Sequence, residues 1–356
     1  MRLSCSSLVA TLAFLLPGIV GGTDLVKRGV LHPSNYKNIT VSRGIHYGYY
    51  TSPPTENKRS VLLLHGWPGL AYDWRFQVDV LKEAGYGVIV PDMLGYGGTE
   101  RPTDPEAYKS SLITRDLVDI LDAESLGNNV VVIGHDWGAK VTARLANWFP
   151  ERFSAFGYLA AGNLPPAFFA SPYYELNNLT KAVIGYDLFG YWELFARPGR
   201  PQLLEDHLDS LLSVLHSADP VDWITHFAPL GALEAWVKED RRPSATVWTP
   251  EEADVYLKAY SAPGALEASL SWYKIVFSDI EAKDNEGIPS QNLIVNKPVF
   301  FGAALADFVV IAAIQLQTTM NSTTNSTLHL YNGGHWIHWQ QKDEVNRDLL
   351  AWIEGL

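Results

Sequence analysis

Three side chains able to share one reaction each follow, within a few residues, an apolar run that is typical of a strand. They are Asp136, Asp307 and His335, in that order along the chain. A nucleophile, an acid and a histidine in this order, each at the end of a strand, form the triad of one class of hydrolases. The sequence therefore predicts Asp136 as the nucleophile, Asp307 as the orienting acid and His335 as the base.

The residues around Asp136 have the pattern of a sharp strand-to-helix turn. In Gly134-His135-Asp136-Trp137-Gly138 the aspartate stands where G-x-S-x-G has a serine nucleophile. Gly134 and Gly138 permit a strained backbone and a close approach of strand and helix. Asp136 could instead be only the N-cap of the next helix. The downstream acid and histidine favour the nucleophile.

His338 competes with His335 for the part of the base. His335 follows Gly333-Gly334, a pair that predicts a turn at a strand end, where a catalytic loop residue is expected. His338 lies three residues later, on the following turn or helix. Position alone therefore favours His335.

The segment His65-Gly66-Trp67-Pro68 supplies a second part of such a site. A loop after an inner strand contributes one backbone N–H of the oxyanion hole, and the residue after the nucleophile contributes the other. These donors are predicted to be the N–H groups of Trp67 and Trp137. Pro68 is compatible with a cis bond that holds the loop or with an ordinary trans turn.

The elements that must position these residues alternate between strand-like and helix-like patterns. Apolar runs at 61–64, 87–90, 129–133, 298–302 and 327–331 alternate with helical spacings, which favours a mostly parallel sheet covered by helices. From 164 to 287 no valine-rich run occurs, and helical patterns with many aromatic residues dominate. The predicted fold is an α/β core in two parts, 23–163 and 288–356, with a helical cap at 164–287.

Composition restricts the class of ligand. The 356 residues are 47% hydrophobic and 19% charged, and the net charge is −12. The hydrophobic content is sufficient for a large core. The negative net charge does not favour binding to nucleic acid or to an anionic membrane. We expect a small-molecule substrate, with no metal or organic cofactor. The aromatic cap residues allow a large apolar pocket, although such residues are more often plain packing.

The first 22 residues are predicted to be a signal peptide, because Arg2 precedes a short apolar run that ends at Pro17-Gly18. An uncleaved anchor in the endoplasmic reticulum membrane is the alternative. The only cysteine is Cys5, so the mature chain is predicted to have no disulfide. Four sequons agree with a secreted or secretory-pathway glycoprotein, at Asn38, Asn178, Asn321 and Asn325.

From about Asn38 to the C-terminus the chain resembles the epoxide hydrolases of α/β-hydrolase fold. The resemblance is carried by "HGWPG", "YDWRFQ", "GHDWGAKVTARLA", "LADFVV" and "GGHWIHWQQKDEVN". It implies two cap tyrosines that bind the epoxide oxygen. Tyr191 matches one through "YWELFARPG", and Tyr273 matches the other through Ser271-Trp272-Tyr273. Leu70-Ala71 and Gln340-Gln341 depart from the usual pattern but touch no implied catalytic group.

The resemblance implies hydrolysis of an epoxide to a vicinal diol through an ester on Asp136. A carboxylate suits this reaction because it is ionised at neutral pH and can displace at a saturated carbon. A haloalkane dehalogenase would use the same aspartate, but the paired tyrosines argue against it, since halide leaves without protonation. A non-catalytic binding protein would not need the complete set of nucleophile, acid, base and two cap tyrosines. Fatty-acid epoxides, xenobiotics and secondary-metabolite polyepoxides all remain open as substrates.

Overall fold

One eight-stranded sheet forms the centre of the protein. The computed structural model describes residues 35–170 and 172–356, so the predicted leader and Cys5 lie outside the described residues. The strand order is β1-β2-β4-β3-β5-β6-β7-β8. The pairs β1–β2 and β2–β4 are antiparallel, and all other pairs are parallel. The predicted mostly parallel sheet flanked by helices is thus confirmed.

The strands are β1 Tyr36–Thr40, β2 His46–Ser52, β3 Ser60–Leu64, β4 Gly87–Pro91, β5 Val130–His135, β6 Phe153–Leu159, β7 Val299–Ala304 and β8 Ser326–Tyr331. The central strands β3, β4, β5 and β7 are buried along their whole length. Both of their faces are covered, which explains why they are continuous apolar runs rather than alternating ones.

Helices cover both faces of this sheet. The helices within the core are α1 Arg75–Glu83, α2 Ser110–Ala123, α3 Trp137–Trp148, α13 Ala312–Ser322, α14 Ile337–Gln340 and α15 Lys342–Glu354. On one face, Leu62 and Val132 share a core with α2 and α3. On the other face, Val61 and Val131 share a core with α1 and α15. Neighbouring residues of a strand point to opposite faces, so one strand contributes to both cores.

The segment between β6 and β7 is helical. Its helices are α4 Tyr173–Ile184, α5 Gly190–Ala196, α6 Arg200–Asp206, α7 Leu208–Leu215, α8 Ala232–Lys238, α9 Pro250–Tyr260, α10 Ala265–Ser269, α11 Ser271–Phe277 and α12 Ile280–Asn285. Shorter helical turns lie at Pro166–Ala170 and Trp223–Phe227. Thr249 caps α9 and forms a capping box with Glu252. We call this helical segment the cap.

Buried polar contacts fix the cap to the core. Tyr256 of α9 donates to Asp73 at 2.6 Å. Lys140 of α3 forms an ion pair with Glu281 of α12 at 2.9 Å, and neither side chain is exposed. Since α3 starts beside Asp136, the second contact ties the cap directly to the predicted nucleophile turn.

Within the described ranges, no helix has the length and apolar character needed to cross a bilayer.

Candidate active site

Asp136 lies at the junction of β5 and α3 in a strained conformation. Its φ is 54° and its ψ is −122°, a backbone region that non-glycine residues rarely occupy. The residue stands at the N-cap position, but its side chain makes no capping hydrogen bond. Oδ1 instead accepts a hydrogen bond from the N–H of Trp67 at 2.9 Å. The N-cap alternative therefore does not describe this side chain, which is turned toward the loop after β3.

The glycines around this turn leave room for the carboxylate. A Cβ atom on Gly66 would overlap Oδ1 of Asp136. A Cβ on Gly138 would overlap the carbonyl oxygen of Leu64, so α3 can approach β3 only because position 138 lacks a side chain. The close approach brings the Trp67 N–H within hydrogen-bonding distance of the Asp136 carboxylate.

Hydrogen bonds of the His65 ring fix the loop after β3. The N–H of Met93 donates to His65 Nε2 at 2.9 Å, so this nitrogen is the acceptor and the proton lies on Nδ1. Nδ1 in turn donates to the carbonyl of Gly66 at 2.8 Å. Burial lowers the pKa of His65 to about 4, which keeps the ring neutral. The Trp67–Pro68 bond is cis, one of the two alternatives left open by the sequence.

Asp307 and His335 meet Asp136 at the carboxyl edge of the sheet. His335 Nδ1 lies 2.6 Å from Asp307 Oδ2. The other oxygen, Asp307 Oδ1, accepts from the N–H groups of Val309 and Val310, each at 2.9 Å. His335 Nε2 lies 3.7 Å from Asp136 Oδ2. All three predicted residues are thus brought together, with the imidazole between the two carboxylates.

The charges of this group influence one another. Burial alone would lower the pKa of His335, but Asp307 and then Asp136 outweigh burial and raise it above the usual value. Burial raises the pKa of Asp136, although His335 and the N–H groups of Trp67 and Trp137 oppose the change. A reaction that neutralises Asp136 removes this charge and therefore lowers the pKa of His335, which favours the neutral imidazole.

The competing histidine lies behind the site. His338 is fully buried, and neither ring nitrogen has a hydrogen-bond partner among the described residues. Burial lowers its pKa well below the usual value. Its neighbour His135 has Nε2 within 2.9 Å of the His335 carbonyl, so His135 supports the loop of the predicted base. Of the two candidates, only His335 faces Asp136.

Tyr191 of α5 and Tyr273 of α11 lie on the cap above Asp136. Their ring centres are 5.8 Å apart and nearly perpendicular. Trp137 packs edge-to-face against Tyr273 at 5.2 Å. Burial raises the pKa of both tyrosines well above the usual value, and the charge of Asp136 contributes in the same direction. Both hydroxyls therefore stay protonated and can donate to an oxygen placed between them and Asp136.

A cavity of about 390 Å³ reaches Asp136 and Tyr191 from between α4 and α13. Phe168, Phe169 and Phe189 line it, as the aromatic composition of the cap suggests. Other aromatic residues of the cap do not line this cavity: Tyr173, Tyr174, Tyr186, Trp223, Phe227, Trp236 and Trp248. Most of the aromatic content is thus packing.

Sequence reasoning missed several residues of this wall. The cavity is also lined by Val309 and Val310, which end "LADFVV" without a predicted part in the cavity, by Thr180 of the Asn178 sequon, and by Gln315, which belongs to no recognised motif. Ser269, another unpredicted residue, accepts from the indole N–H of Trp67 at 3.1 Å. Apolar spacing gives no clear signal for α13, because its buried positions include Gln315 and Thr319 while Met320 is exposed.

Comparisons with known proteins agree with this geometry. The sequence profile described as alpha/beta hydrolase fold matches residues 59–342. Bifunctional epoxide hydrolase 2 of Sus scrofa is 26% identical over 347 residues, covering 94% of this chain. Epoxide hydrolase A of Mycobacterium tuberculosis is 28% identical over 312 residues, covering 83% of this chain and 90% of that protein. The solved structure of epoxide hydrolase A from Mycobacterium thermoresistibile gives a TM-score of 0.75 at 26% identity, covering 90% of this chain and 98% of that one. The chain spans 59% of the Sus scrofa protein.

Proposed function

The chain belongs to the α/β hydrolase fold family, and we propose that it is an epoxide hydrolase that converts an epoxide and water into a vicinal diol. The observation that carries the proposal is that the Asp136 carboxylate, 3.7 Å from His335, shares a cavity with Tyr191, whose ring packs against that of Tyr273. Similarity to several proteins named epoxide hydrolase supports the same reaction.

In the first step Asp136 Oδ2 attacks one epoxide carbon. Oδ1 already accepts from the Trp67 N–H, which leaves Oδ2 as the free nucleophile. The new C–O bond forms as the ring C–O bond breaks, and the epoxide oxygen gains alkoxide character. Tyr191 and Tyr273 donate to that oxygen and supply its proton. General acid catalysis of this kind contributes about 100- to 10,000-fold.

In the second step the alkyl ester of Asp136 is hydrolysed. His335, oriented by Asp307, takes a proton from water, and the resulting hydroxide attacks Cγ of Asp136. Negative charge develops on Oδ1, which the Trp67 N–H and the neighbouring Trp137 N–H stabilise. The diol leaves with the proton from His335. The acid proton remaining on Asp136 returns to the tyrosine pair, so one water is consumed and the site is restored.

The nearest alternative is a haloalkane dehalogenase with the same ester intermediate. The leaving halide is stabilised by hydrogen bonds from indole or amide N–H groups and does not need to be protonated. The two protonated tyrosines over Asp136 have no part in that reaction, and they favour the epoxide.

Intact-protein mass spectrometry of His335→Gln distinguishes the two reactions. Without its base the variant should stop at the ester, and the mass should rise by that of the whole epoxide, mapped to Asp136. A mass increase only with bromoalkanes, accompanied by halide release, would assign the chain to the dehalogenases. No adduct from either class, with ligand still bound, would support a binding protein instead.

We also propose that the protein is a glycoprotein of the secretory pathway. The asparagines of all four sequons are solvent-exposed, which supports this location: Asn38, Asn178, Asn321 and Asn325. Protein recovered from its natural source should begin near residue 23 and lose mass on treatment with an N-glycosidase. An intact leader would instead favour the membrane anchor.

A further inference from the structure

The wall of the cavity contains a side-chain amide that the proposed reaction does not use. Gln315 lies on α13, is 7% exposed and lines the cavity that leads to Asp136. Its Oε1 accepts from the N–H of Gly162 at 3.0 Å. A backbone N–H can only donate, so the amide oxygen must face Gly162 and the NH2 group must point away from it. Among the described residues, no partner accepts from that NH2 group.

The helix that carries Gln315 is rigidly attached beneath the cavity. One turn further along α13, Thr319 Oγ1 accepts from the N–H of Asn163 at 3.0 Å. The Asn163 side chain then donates to Ser322 Oγ at 2.9 Å. A Cβ on Gly162 would overlap Thr319 Oγ1, so the loop and the helix are in direct contact. The orientation of the Gln315 amide is therefore set before any ligand binds.

The other polar side chains of the cavity are committed or closed off. The indole nitrogens of Trp137 and Trp192 have no partner among the described residues, but neither nitrogen is accessible to solvent. Thr180 Oγ1 donates to the Asn177 carbonyl at 2.8 Å and accepts from the Leu188 N–H at 3.3 Å. Asp136 and Tyr191 belong to the reaction centre. No lysine, arginine or histidine is among the lining residues, so a charged carboxylate would have no cationic partner there.

We propose that Gln315 determines substrate specificity: it binds a single uncharged acceptor oxygen on an otherwise apolar epoxide. The acceptor is a carbonyl, hydroxyl or ether oxygen, and the hydrogen bond sets how far along the cavity the epoxide reaches. This inference rests on the proposed epoxide hydrolase function. The remaining wall is aliphatic and aromatic, and at the entrance Val183 is 72% exposed and Leu179 60%. An apolar body with one oxygen matches that distribution of polar and apolar surface.

The test uses a straight-chain terminal epoxide and a series of epoxides of the same chain length that also carry one ketone. The members of the series are isomers that differ in the position of the carbonyl, which moves one carbon at a time along the chain. With the unaltered full-length protein, one isomer should exceed the plain epoxide in kcat/KM by about 2- to 10-fold, the range expected for one neutral hydrogen bond. The gain should lie mainly in KM. The preferred isomer should also be opened at one epoxide carbon more selectively. An equal response to every isomer overturns the proposal, whatever the variants do.

Gln315→Met and Thr319→Val form a matched pair of variants. Each removes one acceptor from a backbone N–H at the same junction, but only position 315 lines the cavity. The preference for one ketone should disappear in Gln315→Met and remain in Thr319→Val, while the plain epoxide is turned over at a similar rate by both. Equal losses for ketone and plain epoxide in both variants would assign Gln315 a structural part only.

Failure of the proposed function would give a different result. In that case no epoxide is hydrolysed and no ester forms on Asp136 in His335→Gln. Calorimetry with straight-chain ketones that lack an epoxide then tests Gln315. Tighter binding of one ketone isomer than of the alkane, lost in Gln315→Met, would support the proposed hydrogen bond. Equal binding of the ketones and the alkane would refute it.

Discussion

His335 Nε2 lies 3.7 Å from Oδ2 of Asp136, while Nδ1 of the same ring lies 2.6 Å from Asp307. His335 is thus hydrogen-bonded to Asp307 through Nδ1, while Nε2 faces Asp136 without a hydrogen bond. This arrangement leaves Oδ2 free to attack, since no hydrogen bond from His335 occupies it. Once Oδ2 is esterified, the same ring nitrogen faces the carbon that water must attack.

The pH dependence of the two chemical steps should differ. Alkylation needs Asp136 ionised, and burial raises the pKa of that carboxyl, so alkylation is lost as pH falls through the raised pKa. Ester hydrolysis needs neutral His335, and burial lowers the pKa of this ring while Asp307 raises it. Because an imidazole ordinarily titrates at about pH 6.5 and a carboxyl at about pH 3.9, hydrolysis should be lost at a higher pH than alkylation. The ester should therefore accumulate in mildly acidic solution. Rapid quench followed by mass spectrometry measures it, and loss of alkylation before hydrolysis would contradict the assignment.

Replacing Tyr191 and Tyr273 together by phenylalanine should slow ring opening by about 100- to 10,000-fold. Ester hydrolysis should change far less, because the tyrosines act on the epoxide oxygen rather than on the ester. Single-turnover kinetics separates the steps. Tyr173→Phe is the control, since this buried cap tyrosine has a hydroxyl with no partner among the described residues. Equal slowing of both steps would reject the proposed role.

Gly66→Ala should reduce kcat/KM by about 100-fold or more. The added Cβ would overlap Oδ1 of Asp136, and a displacement of about 1 Å at the reacting group costs that much. Gly127→Ala is the matched control, because a Cβ there meets no atom within 4 Å. Full activity in Gly66→Ala would show that the carboxylate does not need its present position.

Glu281→Gln should destabilise the protein by about 3–5 kcal/mol, because Lys140 would remain buried without its partner. Asp279→Asn, at the exposed ion pair with Lys283, should leave the free energy of unfolding nearly unchanged, because water screens such a pair. Urea unfolding followed by tryptophan fluorescence measures both. Similar small changes in the two variants would show that the buried pair does not hold the cap on the core.

Local sequence patterns predicted the strands β3, β4, β5 and β7, which are buried on both faces, and also the mostly exposed edge strand β8. Strands buried on both faces require continuous apolar residues, so they stand out in the chain. The edge strand β1 and its neighbour β2 were missed because polar and aromatic residues interrupt them, and β6 because glycine and serine do. Their pairing depends on neighbours that lie far along the chain.

The sequence by itself determined the order Asp136, Asp307, His335 and the glycines that the nucleophile turn requires, because these depend on local backbone geometry. Only the tertiary structure decided between His335 and His338, since both are buried and only the packing of the loop turns one toward Asp136. It also decided that Gln315 faces the cavity and that few of the cap aromatics do. A side chain's environment is made by residues distant in sequence, and neither its type nor its spacing reveals them.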